Sequence, residues 1–279
     1  MLRLDLHTHS TASDGTFRPR DLVKMARASR LAGLGLCDHD TVEGNPELLK
    51  AGQDLSFPVF GGVELSVDFK GTTHLLGLDL LASKDTPPIL DGLQEFRRAR
   101  NQRLFDRLIE LGFNLTLERI EEISGGGQLG RPHFARALIE KGYCNSVQDA
   151  FDKYLGKNRP AYVDKVRPTP LEALAMLHKA KYAPVLAHPY SLGLPPDKWL
   201  EVLPQWKKDG LLGLEVYHPD HTLDQIQLFT ALAHKFDLII TAGSDFHGAN
   251  KKTPITWVKT HSPVGLEVLG RLREKLLAS

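Results

Sequence analysis

The feature that most constrains this chain is where its histidines fall. A short apolar run, Leu2 to Leu6, ends in His7-Thr8-His9, and Asp14 follows five residues later. In a β-strand, side chains i and i+2 point to one face. His7 and His9 can therefore converge on one ion at the C-terminal end of that strand. The punctuation recurs along the chain. Ala32 to Cys37 runs into Asp38-His39-Asp40, Phe57 to Leu65 contains Glu64, and Thr73 to Leu80 carries His74 near its start. Pro184 to Ala187 runs into His188-Pro189, Leu211 to Val216 into Tyr217-His218-Pro219, and Leu238 to Ala242 into Ser244-Asp245-Phe246-His247. A single strand-end histidine is more often packed or solvated than a ligand. His7, His9, Asp14, His39, Glu64, His74, His188, Asp245 and His247 together have no comparable structural explanation. That many titratable groups in one place need water or metal to offset their desolvation. The pattern predicts a metal site built from nitrogen and oxygen ligands alone, which suits Mn, Fe or Zn.

The segments between the strands set the expected fold. Helical patterns over Pro19 to Arg30, Pro46 to Gln53, Leu171 to Lys181, Trp199 to Lys208 and Thr222 to Phe236 alternate with the strands. A last strand near Ile255 to Val258 and a helix from about Gly265 close the chain. Such alternation predicts parallel βα units. About seven units give an α/β fold, a distorted (β/α)7, TIM-like barrel with its chemistry at the C-terminal strand ends. From 89 to 161 the pattern is helical instead. Gln94 to Leu111 is long and arginine-rich, and Leu117 to Ile123 is short. Gly125-Gly126-Gly127 reads as a flexible turn. Arg131-Pro132-His133 opens a helix with proline in its first turn, and Asn145-Ser146 caps Val147 to Leu155. The expected organisation is a barrel over 1–88 and 162–279, with a helical insertion, a substrate-specificity cap, over 89–161.

Composition narrows the setting. The net charge of +1 gives no global argument for nucleic-acid or membrane binding. Cys37 and Cys144 are the only cysteines. They fit a reducing compartment and exclude a thiolate-rich zinc site. No apolar leader and no run of about 18 apolar residues is visible, so a cytoplasmic chain without a membrane segment is expected. Nothing points to an obligatory protein partner.

With these residues laid out, the chain resembles the PHP (polymerase and histidinol phosphatase) family. The resemblance is carried by His7-x-His9-x4-Asp14, Asp38-His39-Asp40, Gly62-Val63-Glu64, His74-Leu75-Leu76-Gly77, Ala187-His188-Pro189 and Ser244-Asp245-x-His247. It implies a distorted (β/α)7 barrel and two or three divalent ions, most often Mn, that hydrolyse phosphoesters through a metal-bridging hydroxide. It also implies a division of ligands. His7, His9, Glu64 and Asp245 would hold one ion, Glu64, His74 and His188 a second, and Asp14, His39 and His247 a third, with Glu64 as the bridge. Three dications against three carboxylates leave about +3, a strong attractor for a phosphate dianion.

The insertion, Gly130-Arg131-Pro132-His133-Phe134 and Glu215-Val216-Tyr217-His218-Pro219 look most like the 3′,5′-nucleotide bisphosphate phosphatases. That likeness implies hydrolysis of 3′-phosphoadenosine 5′-phosphate to AMP and phosphate. The alternatives are a 5′→3′ exoribonuclease on short oligonucleotides and a histidinol-phosphate phosphatase. Small nucleotides or short RNA would be the partners. His218 and Asp38 are the candidates for protonating the leaving group. Each has a plain alternative: a packed strand-end histidine, and a carboxylate that orients a ligand. Arg131 and His133 stand at a helix start, which favours anions. With Lys157 and Arg159 they are candidates for a second phosphate pocket. Arg97, Arg98, Arg100, Arg103 and Arg107 read as a solvated helix face paired with nearby acids.

Overall fold

The computed structural model describes residues 3–81, 89–124, 129–164 and 167–278. The chain divides into two compact units, Met1–Leu93 with Arg167–Ser279, and Gln94–Val166. The Gly125-Gly126-Gly127 turn lies outside the described residues.

The first unit contains two sheets. Strands β1 (Leu4–Asp5), β2 (Gly33–Gly35) and β3 (Val59–Phe60) pair in parallel in that order. Strands β4 (Gly62–Val67), β5 (Thr73–Leu78), β6 (Ala183–Leu186), β7 (Gly213–Tyr217) and β8 (Ile239–Ala242) form the second sheet. Single bridges join the sheets at the strand ends, Thr8 to Phe246 and His39 to Glu64. Beside them, the Leu6 N–H donates to Ala242 O at 3.0 Å and the Asp245 N–H to His7 O at 2.9 Å. The architecture is α/β, but the described strands make two sheets rather than one continuous closed cylinder.

The break between the sheets has a local cause. The run from Phe57 to Leu65 reads as one strand, yet it divides at Gly61. The Asn45 side chain occupies the break: its Nδ2 donates to Gly62 O at 3.1 Å, and its Oδ1 accepts the Gly62 N–H at 3.3 Å. A side chain on Gly62 would meet Gly77 O at 2.7 Å, so this crossing admits only glycine.

Two expectations need correction. β5 is antiparallel to both β4 and β6, not a parallel βα strand. Only 68–72 separates it from β4, and a parallel crossover needs about a dozen residues. The register sets Ser66 against His74. A histidine at the start of β5 thus lies at the C-terminal end of β4. The expected strand at Ile255 to Val258 is absent. Trp257–His261 is a helical turn there, with Ile255 and Val258 buried three residues apart, as one face of a helix requires. A short apolar run fits either period, and here proline at 254 leads into the helix.

The helices are α1 (Pro19–Ala28), α2 (Asn45–Leu55), α3 (Ile89–Glu110), α4 (Leu117–Ser124), α5 (Arg131–Glu140), α6 (Val147–Ala150), α7 (Pro170–Lys179), α8 (Pro196–Lys208), α9 (Leu223–Lys235), α10 (Trp257–His261) and α11 (Glu267–Ala278). α1 buries Pro19, Leu22, Val23 and Ala26, a single stripe at helical spacing. α7 and α9 open on reciprocal capping boxes, Thr169 with Glu172 and Thr222 with Gln225. The second unit has its own core, including Leu104, Leu108, Ile120, Phe134 and Leu138. There α6 continues into a π-helical turn, Phe151–Leu155. Among the described residues no helix is long and apolar enough to cross a membrane.

Asn45→Ala should destabilise the protein by about 2 kcal/mol, because it strands the buried polar groups of Gly62. The readout is a lowered urea midpoint at unchanged slope. A shift below about 0.5 kcal/mol would remove this role for Asn45.

Candidate metal centre

Glu64 is the hub of the centre. It sits mid-β4 and is fully buried. One oxygen, Oε1, faces His74 Nδ1 at 2.7 Å and His188 Nε2 at 2.9 Å. The other, Oε2, faces His39 Nδ1 at 2.9 Å, His9 Nε2 at 3.2 Å and His7 Nε2 at 3.4 Å. His7 and His9 arrive from the end of β1, His39 from the end of β2, His74 from the start of β5, and His188 from the end of β6. Five imidazoles from four strands thus surround one carboxylate.

Asp245 and His247 come from the segment after β8. Asp245 Oδ1 lies 3.2 Å from His9 Nε2 and 3.6 Å from His7 Nε2, and those two nitrogens are 3.1 Å apart. His7, His9 and Asp245 therefore present donor atoms 3.1–3.6 Å apart, and Glu64 Oε2 lies 3.2 and 3.4 Å from the two imidazole nitrogens. Ligands about 2.1 Å from a tetrahedral ion would be about 3.4 Å apart. The second group is a triangle: Glu64 Oε1 with His74 and His188, whose facing nitrogens are 3.3 Å apart. A third gathers on Asp14, whose Oδ1 is 3.2 Å from His247 Nε2 and whose Oδ2 is 3.8 Å from His39 Nε2. His9 also reaches this group, with Nδ1 3.8 Å from Asp14 Oδ1. Glu64 Oε2 and His9 Nδ1 are buried and make no hydrogen bond. Buried polar atoms left this way call for a ligand. The donor set, the spacing and these orphaned atoms all fit divalent cations.

Electrostatics keeps the ligands in useful states. Burial alone would protonate Glu64, but His74, His39 and His7 hold it well below the usual carboxylate range. For Asp245 too, burial pushes upward and His7, His218 and His9 outweigh it, holding it far down. Burial pushes His39 down, yet Glu64, Asp14 and Asp40 carry it up to about 9. His7 is raised well above its ordinary value by Glu215, Glu64 and Asp245 against its own burial. Without a cation, protons on His7 and His39 balance the buried carboxylates, and a metal would displace them.

Supporting groups fix the ligands. Glu215, buried in β7, accepts from His7 Nδ1 at 3.0 Å through Oε1 and from the His188 N–H at 2.7 Å through Oε2. It thereby orients one ligand of the first group and one of the second. His7 holds it down at about 2 even though burial opposes ionisation. Asp5 Oδ1 accepts the backbone N–H groups of His7 and Ser244, tying β1 to the segment after β8. Asp40, His188 and Asp245 adopt left-handed backbone with φ of +50°, +26° and +50°. Non-glycine residues hold such conformations only where their surroundings impose them. Glu215 and Asp5 carry no assigned role in the sequence reading. Their signal is a lone carboxylate inside an apolar strand, in Leu4-Asp5-Leu6 and in Leu214-Glu215-Val216.

The two acid candidates occupy different surroundings. His218 is buried, with Nε2 3.4 Å from Asp245 Oδ2. Its Nδ1 accepts the Asp220 N–H at 3.1 Å, which leaves the proton on Nε2. Asp38 accepts from the Ser10 N–H and the Ser10 hydroxyl, both at 2.7 Å, and from the Ser13 hydroxyl at 2.5 Å. Three donors make it the anchor of the loop that carries Asp14.

In the second unit, Arg131 and His133 share the start of α5. The Arg131 guanidinium carbon lies 5.8 Å from the Phe151 ring centre and 5.6 Å from that of Tyr162, and Nη1 donates to Leu155 O at 3.4 Å. The π-helical turn thus presents both a ring and a carbonyl to this arginine. His133 Nδ1 accepts the Gly130 N–H at 3.0 Å and caps the helix. Lys157 and Arg159 are exposed on the following loop, and neither figures in a described contact with Arg131.

Residues 5–156 match the family model described as the PHP domain. The chain belongs to the PHP family. It is 32% identical over 92% of its length to a 5′-3′ exoribonuclease of Haemophilus influenzae, of which it covers 92%. It is 30% identical over 88% of its length to a 3′,5′-nucleoside bisphosphate phosphatase of Chromobacterium violaceum, of which it covers 88%. A solved structure from Bifidobacterium adolescentis, named as a metal-dependent phosphoesterase, superposes with a TM-score of 0.68 at 28% identity, covering 98% of this chain and 96% of that one. This PHP chain is accordingly a hydrolytic, metal-dependent phosphoesterase, and its histidine–carboxylate clusters supply the donors such an enzyme needs.

Glu215→Gln should weaken metal retention about 10- to 100-fold, because the His7 ring and the His188 backbone lose a charged acceptor. Metal content after dialysis against graded chelator measures it, and an unchanged retention curve would refute it. The metal-free protein should also respond to pH. His39 and His7 have folded pKa values above the ordinary 6.5. Their contribution to stability is complete below that value; that of His39 is lost as pH rises through about 9, and that of His7 as pH rises through its own raised value. Thermal midpoints of chelator-treated protein should fall across that window. A flat profile would contradict the proton-balance account.

Proposed function

We propose that this protein is a phosphatase that removes the 3′-phosphate of 3′,5′-bisphosphate nucleotides, converting 3′-phosphoadenosine 5′-phosphate to AMP and phosphate. The observation that carries the reading is the split of Glu64, one oxygen toward His7, His9 and His39 and the other toward His74 and His188. A carboxylate shared in this way is what two adjacent cations need as a bridge. We assign His7, His9, Glu64 and Asp245 to one ion, Glu64, His74 and His188 to a second, and Asp14, His39 and His247 to a third, with Mn favoured. Bound dications lower the pKa of coordinated water and neutralise charge on phosphoryl oxygens.

The chain's own residues do the rest. Glu215 and Asp5 hold the ligand rings and strand ends in register. Asp38 holds the Ser10–Ser13 loop, and with it Asp14. His218 offers an Nε2–H donor beside Asp245, suited to hydrogen-bonding a substrate oxygen. We assign the remaining phosphate of the substrate to Arg131, whose ring-flanked guanidinium is pre-oriented for bidentate contact, aided by His133, Lys157 and Arg159. The likeness to the Chromobacterium phosphatase supports this substrate. A second reading, 5′→3′ removal of nucleotides from short RNA, is favoured by the likeness to the Haemophilus enzyme. The same centre serves either, since both break a phosphoester.

Turnover with Mn present, read as phosphate release from 3′-phosphoadenosine 5′-phosphate and histidinol phosphate and as 5′-nucleotide release from a 5′-phosphorylated dinucleotide, ranks the readings. The bisphosphate should have the highest kcat/KM, and preference for either other substrate would displace the proposal. Arg131→Ala should raise KM for the bisphosphate about 10- to 100-fold, the loss of one charged phosphate contact, and leave a simple phosphomonoester nearly unaffected. Equal effects on the two would remove Arg131 from phosphate binding.

A further inference from the structure

Asp245 has two faces. Its Oδ1 turns to His7, His9 and His247 at 3.2–3.6 Å, where an ion would sit. Its Oδ2 turns the other way and collects two N–H donors, His218 Nε2 at 3.4 Å and the ammonium of Lys251. Lys251 stands just past the Gly248–Asn250 turn that follows His247. No sequence motif marks it. Its side chain is 37% exposed, while that of Asp245 is 8% exposed. The ammonium therefore joins the buried cluster on a side chain that is itself partly open to solvent.

The loop that delivers it is fixed. The Ala249 N–H donates to Thr16 Oγ1 at 3.0 Å, and Asn250 Nδ2 donates to Asp14 O at 2.7 Å. Gly248 has φ of +67°, and a Cβ there would stand 2.0 Å from Thr16 Oγ1. The Lys251 loop is thus clamped to the loop that carries Asp14.

We propose that Lys251 is a catalytic residue whose ammonium contacts the non-bridging oxygens of the phosphoester at this centre. Asp245 Oδ2 marks the place: an anionic oxygen already met by the lysine ammonium and by an imidazole N–H. A phosphoryl oxygen arriving beside Asp245 meets the same two donors. Phosphoryl transfer depends on positioning and charge neutralisation, so an ammonium delivered beside Asp245 by a fixed loop acts on both. The flexible lysine stem lets the charge pass from carboxylate to phosphate without moving the loop. The inference rests on the metal-centre reading above.

The test uses the full chain, wild type, Lys251→Met and Lys251→Arg, each loaded with Mn. Three quantities are read: metal content, the affinity for inorganic phosphate by calorimetry, and kcat/KM on 3′-phosphoadenosine 5′-phosphate. Lys251→Met should keep its metal, lose phosphate affinity about tenfold and lose kcat/KM about 100-fold, the usual size for one transition-state donor. Lys251→Arg should recover most of both. Phosphate affinity and kcat/KM within about threefold of wild type in Lys251→Met would overturn the proposal. So would loss of metal from Lys251→Met, which would make the residue a support for Asp245 instead. Wild-type protein that retains no metal overturns the metal-centre reading itself, and is told apart by its own metal content.

Discussion

The structure is arranged around one costly act, the burial of the Glu64 carboxylate. An isolated ionised carboxylate inside a protein would simply take up a proton. Glu64 stays ionised because five imidazole nitrogens stand 2.7–3.4 Å from its two oxygens. Each of those rings needs its own support. His7 leans on Glu215, which is itself buried and also holds the backbone of His188. His188 passes its other ring nitrogen to Ser191 at 2.8 Å. The result is a polar network whose carboxylates are held ionised by neighbouring imidazoles, while Glu64 Oε2 and His9 Nδ1 stay without a hydrogen bond.

Such a network dictates topology. Donors must come from several chain segments, because one strand can offer only alternate positions to a face. The antiparallel hairpin β4–β5 solves part of this problem. It brings Glu64 and His74 within one ladder, with His74 opposite Ser66, two residues beyond Glu64. The sharp left-handed positions at Asp40, His188 and Asp245 solve another part, turning the chain back where a ligand or its supporting carboxylate must face inward. Asp40 illustrates the second case: it accepts the Ser66 N–H at 2.8 Å and steadies β4 two residues beyond Glu64.

Much of this was legible in the sequence because it depends on local periodicity. The His7-x-His9 pair needed only the two-residue strand repeat, and strand-end ligands recur after apolar runs that any reader can mark. What was illegible depended on geometry that short runs do not encode. The run from Phe57 to Leu65 shows no sign that Asn45 will interrupt it. Ile255 and Val258 suit a strand or a helical turn equally. The reversal of β5 is implied only by the shortness of the 68–72 link. Glu215 and Lys251 act on residues far away in sequence or through a loop without a motif, so no spacing announces them. The surroundings of Arg131 divide the same way. Gly130-Arg131-Pro132 foretells the helix start, but the flanking Phe151 ring belongs to a π-helical turn that no pattern predicts, and the Tyr162 ring comes from beyond that turn.

The seams between the two sheets carry a wider consequence. Each is closed by a single bridge, Thr8 to Phe246 and His39 to Glu64, and both lie within the histidine–carboxylate cluster. On the metal-centre reading, an ion held by His7, His9, Glu64 and Asp245 would fasten chain segments from both sheets at once. Its binding free energy would then count toward keeping the fold shut. The cofactor would double as a clasp, and a cell short of the metal would lose this protein to proteolysis as well as to idleness. Abundance of the chain would track metal supply without any dedicated sensor.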